Sequence, residues 1–180
     1  MRLSGFLIAL VGFTMVGCGS SAPSESAAPA GAAPAAAPTT KVEGTLAQVM
    51  QGILFPNSNI IFDAQNNDPV AKAKKAESAT GNPYGGWLEV ENAAISIAEA
   101  ANLLQIPGRV CSNGKPTPMD QSDWPGLVQG LRDAAQASYK AAQSKNMDNI
   151  VDASGTLTEA CAACHDKYRE KPDLAMRCTP

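Results

Sequence analysis

The feature that most constrains this chain is Cys161-Ala162-Ala163-Cys164-His165, which lies fifteen residues before the end of a 180-residue sequence. Two thiols three residues apart reach the two vinyl groups of one haem and form thioethers. The histidine directly after the second cysteine then falls under the iron as an axial ligand. His165 is the only histidine in the chain. A zinc site needs about four ligands, and this cluster offers three. A redox CxxC pair sits beside a strand–helix unit, whereas the sequence shows no strands. The motif therefore predicts one covalent haem c, held by Cys161 and Cys164 with His165 on the iron.

The surrounding pattern is helical. Aromatic residues are 5% of the chain, too few for a sheet-rich fold, which draws on aromatic and β-branched residues. Apolar residues recur at three- and four-residue steps in four stretches. The first helix is expected over about Gly44 to Gln65, with Leu46, Val49, Met50, Ile53 and Leu54 on one face and a kink at Pro56-Asn57. The second is expected from about Tyr84 to Gln105, on a stripe from Trp87 to Leu104 stopped by Pro107-Gly108. The third opens at Ser122-Asp123, which are capping residues, with Trp124 and Pro125 in its first turn, and ends at Ser144 to Asn146. The fourth runs from about Met147 to Lys171, before Pro172, on the stripe Ile150, Val151, Leu157, Cys161, Cys164 and Tyr168. Four such helices on short to moderate loops predict an all-α, antiparallel up-down-up-down bundle with the haem on its last helix.

The start of the chain reads as export apparatus. Arg2 precedes an apolar run from Phe6 to Val16, too short to span a membrane as a mature helix and suited to a signal peptide over residues 1–17. Met15-Val16-Gly17-Cys18 resembles a bacterial lipobox, in which the cysteine becomes the acylated first residue. From Gly19 to Thr40 there are nine alanines and four prolines but no periodic large apolar residue. Residues 18–43 therefore read as a tether and residues 44–180 as the cytochrome domain. These features predict a periplasmic lipoprotein held to a membrane through Cys18. The net charge of −3 gives no reason to expect a nucleic-acid partner.

The segment from Cys161 to Arg169, closing the last helix of a bundle, resembles the cytochrome c′ and cytochrome c-556 family. That family is a four-helix bundle with CxxCH on its last helix, often followed by an aromatic and an arginine, as Tyr168 and Arg169 are here. The proline inside the first helix and the loop bearing Cys111 depart from the pattern. The resemblance implies either electron transfer or the binding of a small diatomic gas such as NO or CO, and it allows a homodimer.

Remaining residues are placed by geometry. His165 lies about six residues before the end of the fourth helix. The same level on the antiparallel first helix is about six residues from its start, roughly 9 Å along the axis. Met50 stands there, either as a sixth ligand to iron or as a side chain packed on the porphyrin. Met119 is a weaker candidate. Arg169, one turn beyond His165, is placed to pair with a haem propionate or to sit beside the proximal imidazole. Arg109 is a propionate candidate by position, Tyr168 is expected to pack, and Asp166 and Lys167 to be solvated. Cys111 and Cys178 fall at the same end of the bundle, which favours a disulfide in an exported protein. No acid–base constellation accompanies the motif, so a non-enzymatic electron carrier with His/Met ligation is expected. The alternative is a five-coordinate gas-binding protein.

Overall fold

The computed structural model describes residues 40–80 and 83–180, the side chains of 75–80 excepted. The expected signal peptide, Cys18 and most of the tether lie outside the described residues. The helices are α1 (Leu46–Val49), a π-helical turn (Met50–Leu54), α2 (Phe55–Asp63), α3 (Pro69–Thr80), α4 (Trp87–Leu103), α5 (Trp124–Ser144) and α6 (Met147–Tyr168). Among the described residues there is no β-strand. The first helix of the bundle is the continuous stretch 46–63. It packs on α4, α4 on α5, α5 on α6, and α6 returns to α2, giving the expected all-α four-helix bundle.

The first helix starts with a Thr45–Gln48 capping box. The Thr45 hydroxyl accepts from the Gln48 amide (3.2 Å) and the Gln48 side chain accepts from the Thr45 amide (2.9 Å). Pro56 was expected to kink this helix. Instead the preceding turn widens, and the Phe55 amide donates to the Met50 carbonyl, five residues back. A proline clashes with the carbonyl four residues before it, and a π turn relieves that clash. The Asn57 side chain donates to the Ile53 carbonyl at 2.7 Å, satisfying an acceptor the distorted ladder would leave open.

Ile61, Ile97, Leu104, Ile150 and Leu157 are fully buried and form the centre of the core. Truncating any of them to alanine costs about 2–5 kcal/mol. Small residues set the helix spacing. Ser154 is fully buried on α6, and its hydroxyl donates to the Ile61 carbonyl on α2 at 3.4 Å. That contact pins the first and last helices together toward one end of the bundle.

Several sequence-based expectations are corrected. α3 was not anticipated, because Val70 is exposed and the segment shows no apolar stripe. It is tied back by a Lys72–Asp63 ion pair at 2.6 Å. The helix of the second stretch begins at Trp87 rather than Tyr84, after Gly86 at φ 76°, a left-handed conformation that suits glycine. Val151 is 43% exposed rather than in the core, because Ile150, Ala153, Ser154 and Leu157 already complete the inward face of α6. α6 ends at Tyr168, three residues short of Lys171.

Candidate haem site

The bundle opens at the end formed by the start of the first helix, the end of α4, the start of α5 and the end of α6. A cavity of about 630 Å³ lies there, within the roughly 300–1,000 Å³ of sites that enclose a small organic ligand. Cys161, Cys164 and His165 from α6 line it, with Met50 from the π turn and the apolar side chains Leu54, Phe62, Ile97 and Leu131. The expected ligand residues are thus brought to one cavity. Met50 is the one methionine among the described residues lining it. Met119 is partly buried against the core but does not line the cavity.

Burial shapes the chemistry of the motif. It pushes both thiols up, and Cys164, with the nearby Cys161 and Asp123 adding to the effect, is raised to about 11. The two cysteines are therefore thiols, not thiolates, at neutral pH, and poorly disposed to attack each other. His165 is held below its ordinary value, first by burial and then by the neighbouring Arg169. Arg169 Nη1 lies 3.2 Å from His165 Nδ1. A guanidinium only donates, so in this arrangement Nδ1 accepts and Nε2 carries the ring proton; binding a metal through Nε2 moves that proton to Nδ1 and releases the Arg169 contact. Arg169 also pairs with Glu170 at 3.4 Å.

The end of α6 is fixed by an aromatic and ionic group. Tyr168 is buried and meets Trp124 edge-to-face at a centroid distance of 5.4 Å. Its hydroxyl donates to Asp123 Oδ1 at 2.6 Å, while Lys167 pairs with Asp123 Oδ2 at 2.6 Å. Trp124 Nε1 donates to the Leu104 carbonyl at 3.2 Å. These contacts lock the last turn of α6, and with it His165, onto α4 and α5. Two expectations change here. Lys167 is paired rather than simply solvated. Asp123 stands at the start of α5, but its carboxylate serves α6 instead of capping α5. Asp166 is exposed, as expected.

Arg109 does not act as a propionate partner. It is 4% exposed, donates from Nε to the Leu103 carbonyl at 2.9 Å and from Nη1 to the Gly44 carbonyl, and does not line the cavity. The charge is spent on joining the end of α4 to the approach of the first helix. The adjacent Val110 carbonyl accepts from the Leu46 amide at 2.8 Å, completing the cap of that helix. Cys111 and Cys178 are joined by a disulfide, and both line the cavity. Arg177, next to the bridge, also lines it. Sequence reasoning passed over Arg177 because it lies beyond Pro172, outside every helical stripe.

The residues present suit a thioether-bound haem. Two protonated thiols and one imidazole stand on one wall of a largely apolar cavity of sufficient size. Among the described residues no group of three or more His, Cys, Asp or Glu side chains is arranged to hold a bare metal ion.

Fold and site together define a four-helix-bundle protein built around a cavity that carries CxxCH on its last helix. Residues 119–169, which hold α5, α6 and the motif, match the family model described as cytochrome C′. This match supports the cytochrome c′ family, and that family implies a c-type haem protein with covalently bound haem c. Neither a curated protein nor a solved structure matches the chain.

Proposed function

We propose that this chain is an exported monohaem cytochrome c that transfers electrons to or from another redox protein. In this reading Cys161 and Cys164 would hold the haem, and His165 and Met50 would bind its iron. The observation that carries the proposal is that Met50, on the first helix, and His165, on the last, line the same cavity. When bound, the haem supplies a one-electron ferric/ferrous couple. The chain's own residues keep water out through Leu54, Phe62, Ile97 and Leu131, and hold His165 in place through the Tyr168–Asp123–Lys167 group. The Met50 thioether favours the reduced state and raises the potential.

A second reading has support from the same apolar wall. If Met50 only packs, Leu54 and Phe62 leave a dry distal pocket suited to an uncharged diatomic gas such as NO or CO. The visible spectrum of the holoprotein decides between them. Low-spin bands in both oxidation states, unchanged by CO, support His/Met electron transfer. A high-spin ferrous form that binds CO at once supports the gas-binding reading.

The proposal extends to location. Acylation at Cys18 would tether the domain to a periplasmic membrane surface, because a lipid anchor followed by a charge-poor Ala/Pro spacer places a redox centre near membrane partners. Mass spectrometry of the mature N-terminal peptide tests this. An unmodified peptide beginning after Cys18 would rule the anchor out.

A further inference from the structure

The cavity has a cation without a counterion. Arg177 lines it, and Arg177 Nε is buried with no hydrogen-bond partner. An unpaired buried guanidinium nitrogen is costly, and charged groups left so in a folded protein normally have a partner. Among the described residues no carboxylate pairs with Arg177. Among the described residues lining the cavity there is no Asp or Glu, and the charged or titratable side chains there besides the two motif thiols are His165, Tyr168, Arg169 and Arg177. Arg169 has Glu170 as its counterion, and Arg109 is held by backbone carbonyls. Arg177 is the cation left over.

Its position is built. After α6 the chain turns back, and the Cys178 amide donates to the Tyr168 carbonyl at 2.8 Å. The Asn113 side-chain amide donates to the carbonyls of Leu174 (3.1 Å), Ala175 (3.3 Å) and Arg177 (3.0 Å). The Cys111–Cys178 bridge fastens the same segment to the loop between α4 and α5. Cys178 adopts φ 62°, a left-handed conformation that a non-glycine residue keeps only where its surroundings hold it. Five attachments within five residues exceed what a disposable tail requires, and they present one arginine to the cavity.

We propose that Arg177 is the propionate-binding cation of the haem site, presented by a C-terminal segment that the disulfide holds in place. The inference rests on the haem reading above. A haem carries two carboxylates, and a guanidinium can meet one of them in a bidentate pair. This assigns the disulfide a role beyond stability, since the bridge sets the position of a charge beside the cofactor.

The test uses the holoprotein, with the midpoint potential measured across about pH 4 to 9, where a propionate ionises. A cation beside a carboxylate lowers its pKa by about one unit or more. Arg177→Gln should therefore raise the redox-linked ionisation by about one pH unit, while Arg177→Lys should retain most of the wild-type profile. The Cys111→Ser/Cys178→Ser double variant should shift in the same direction as Arg177→Gln. A haem-loaded Arg177→Gln protein with the wild-type profile would overturn the assignment and leave the haem reading intact. An unshifted double variant would overturn the role of the bridge. Wild-type protein that carries no covalent haem would overturn the haem reading and this inference with it.

Discussion

Met50, His165 and Arg109 show how far single residues can be read. CxxCH is legible because its chemistry demands a fixed spacing, and the common cavity of Met50 and His165 because two antiparallel helix ends fix a common level. Arg109 was misjudged because position along a loop says nothing about burial. Its charge is drawn inward by two unpaired carbonyls, of Leu103 and Gly44. Removing a charged donor from buried acceptors costs about 3 kcal/mol, so Arg109→Ala should lower the denaturation midpoint by a corresponding amount with the visible spectrum of folded protein unchanged. A spectral change without destabilisation would return Arg109 to the haem. Met50→Ala should convert a low-spin protein to high spin, lower its potential and admit CO, as read by absorbance and redox titration. The Asp123 carboxyl is held below its ordinary range by the Lys167 ammonium first and the Tyr168 hydroxyl second, while Lys167 is raised mainly by Asp123. The pair therefore stabilises from above the usual carboxylate pKa of about 3.9 up to that of lysine, about 10.4. Its contribution is lost as pH falls through the depressed Asp123 value, or rises through the elevated Lys167 value. Asp123→Asn should lower Tm at neutral pH, and the difference from wild type should vanish in acid; a difference constant with pH would contradict the pairing.

At the scale of elements, the four bundle helices were legible because each carries a stripe at three- and four-residue steps. α3 was not, since Val70 is exposed and its lysines leave no face to bury. The expected kink at Pro56 became a π turn beginning at Met50, and no periodicity argument distinguishes the two. Both relieve the same clash. The difference matters, because a π turn inserts one extra residue and so rotates Met50 relative to α2. Pro56→Ala permits an ordinary α-helical register and should turn Met50 away from its present place. We expect a folded protein with a substantial high-spin fraction, seen in the absorbance spectrum. A wholly low-spin Pro56→Ala protein would show that the π turn does not position Met50. The disulfide belongs to this scale too. Cys111 and Cys178 are 67 residues apart, and closing a loop of that length stabilises by about 4 kcal/mol in the chain-entropy model. Reduction should lower the midpoint of chemical denaturation accordingly; an unchanged midpoint would show that the loop is already ordered without the bridge.

For the molecule as a whole, the bundle is pinned where Ser154 meets Ile61 and open where Cys161, Cys164 and His165 line the cavity. Around that opening, Trp124, Tyr168, Asp123 and the bridged C-terminal segment brace the last turn of α6. The fold thus reads as a frame that holds one helix end still beside a largely apolar chamber. The bundle and the Cys111–Cys178 bridge were inferable from sequence, and the Trp124–Tyr168–Asp123 group was not, since it depends on contacts between residues more than forty positions apart, such as Tyr168 with Asp123. The central claim is that this chamber holds one haem bound through Cys161 and Cys164. Intact mass spectrometry of the denatured, exported protein tests it most directly. The account predicts a mass raised by one haem per chain, with the addition lost when both cysteines are replaced by alanine; a wild-type chain of unmodified mass, or an addition that survives loss of both cysteines, would contradict it.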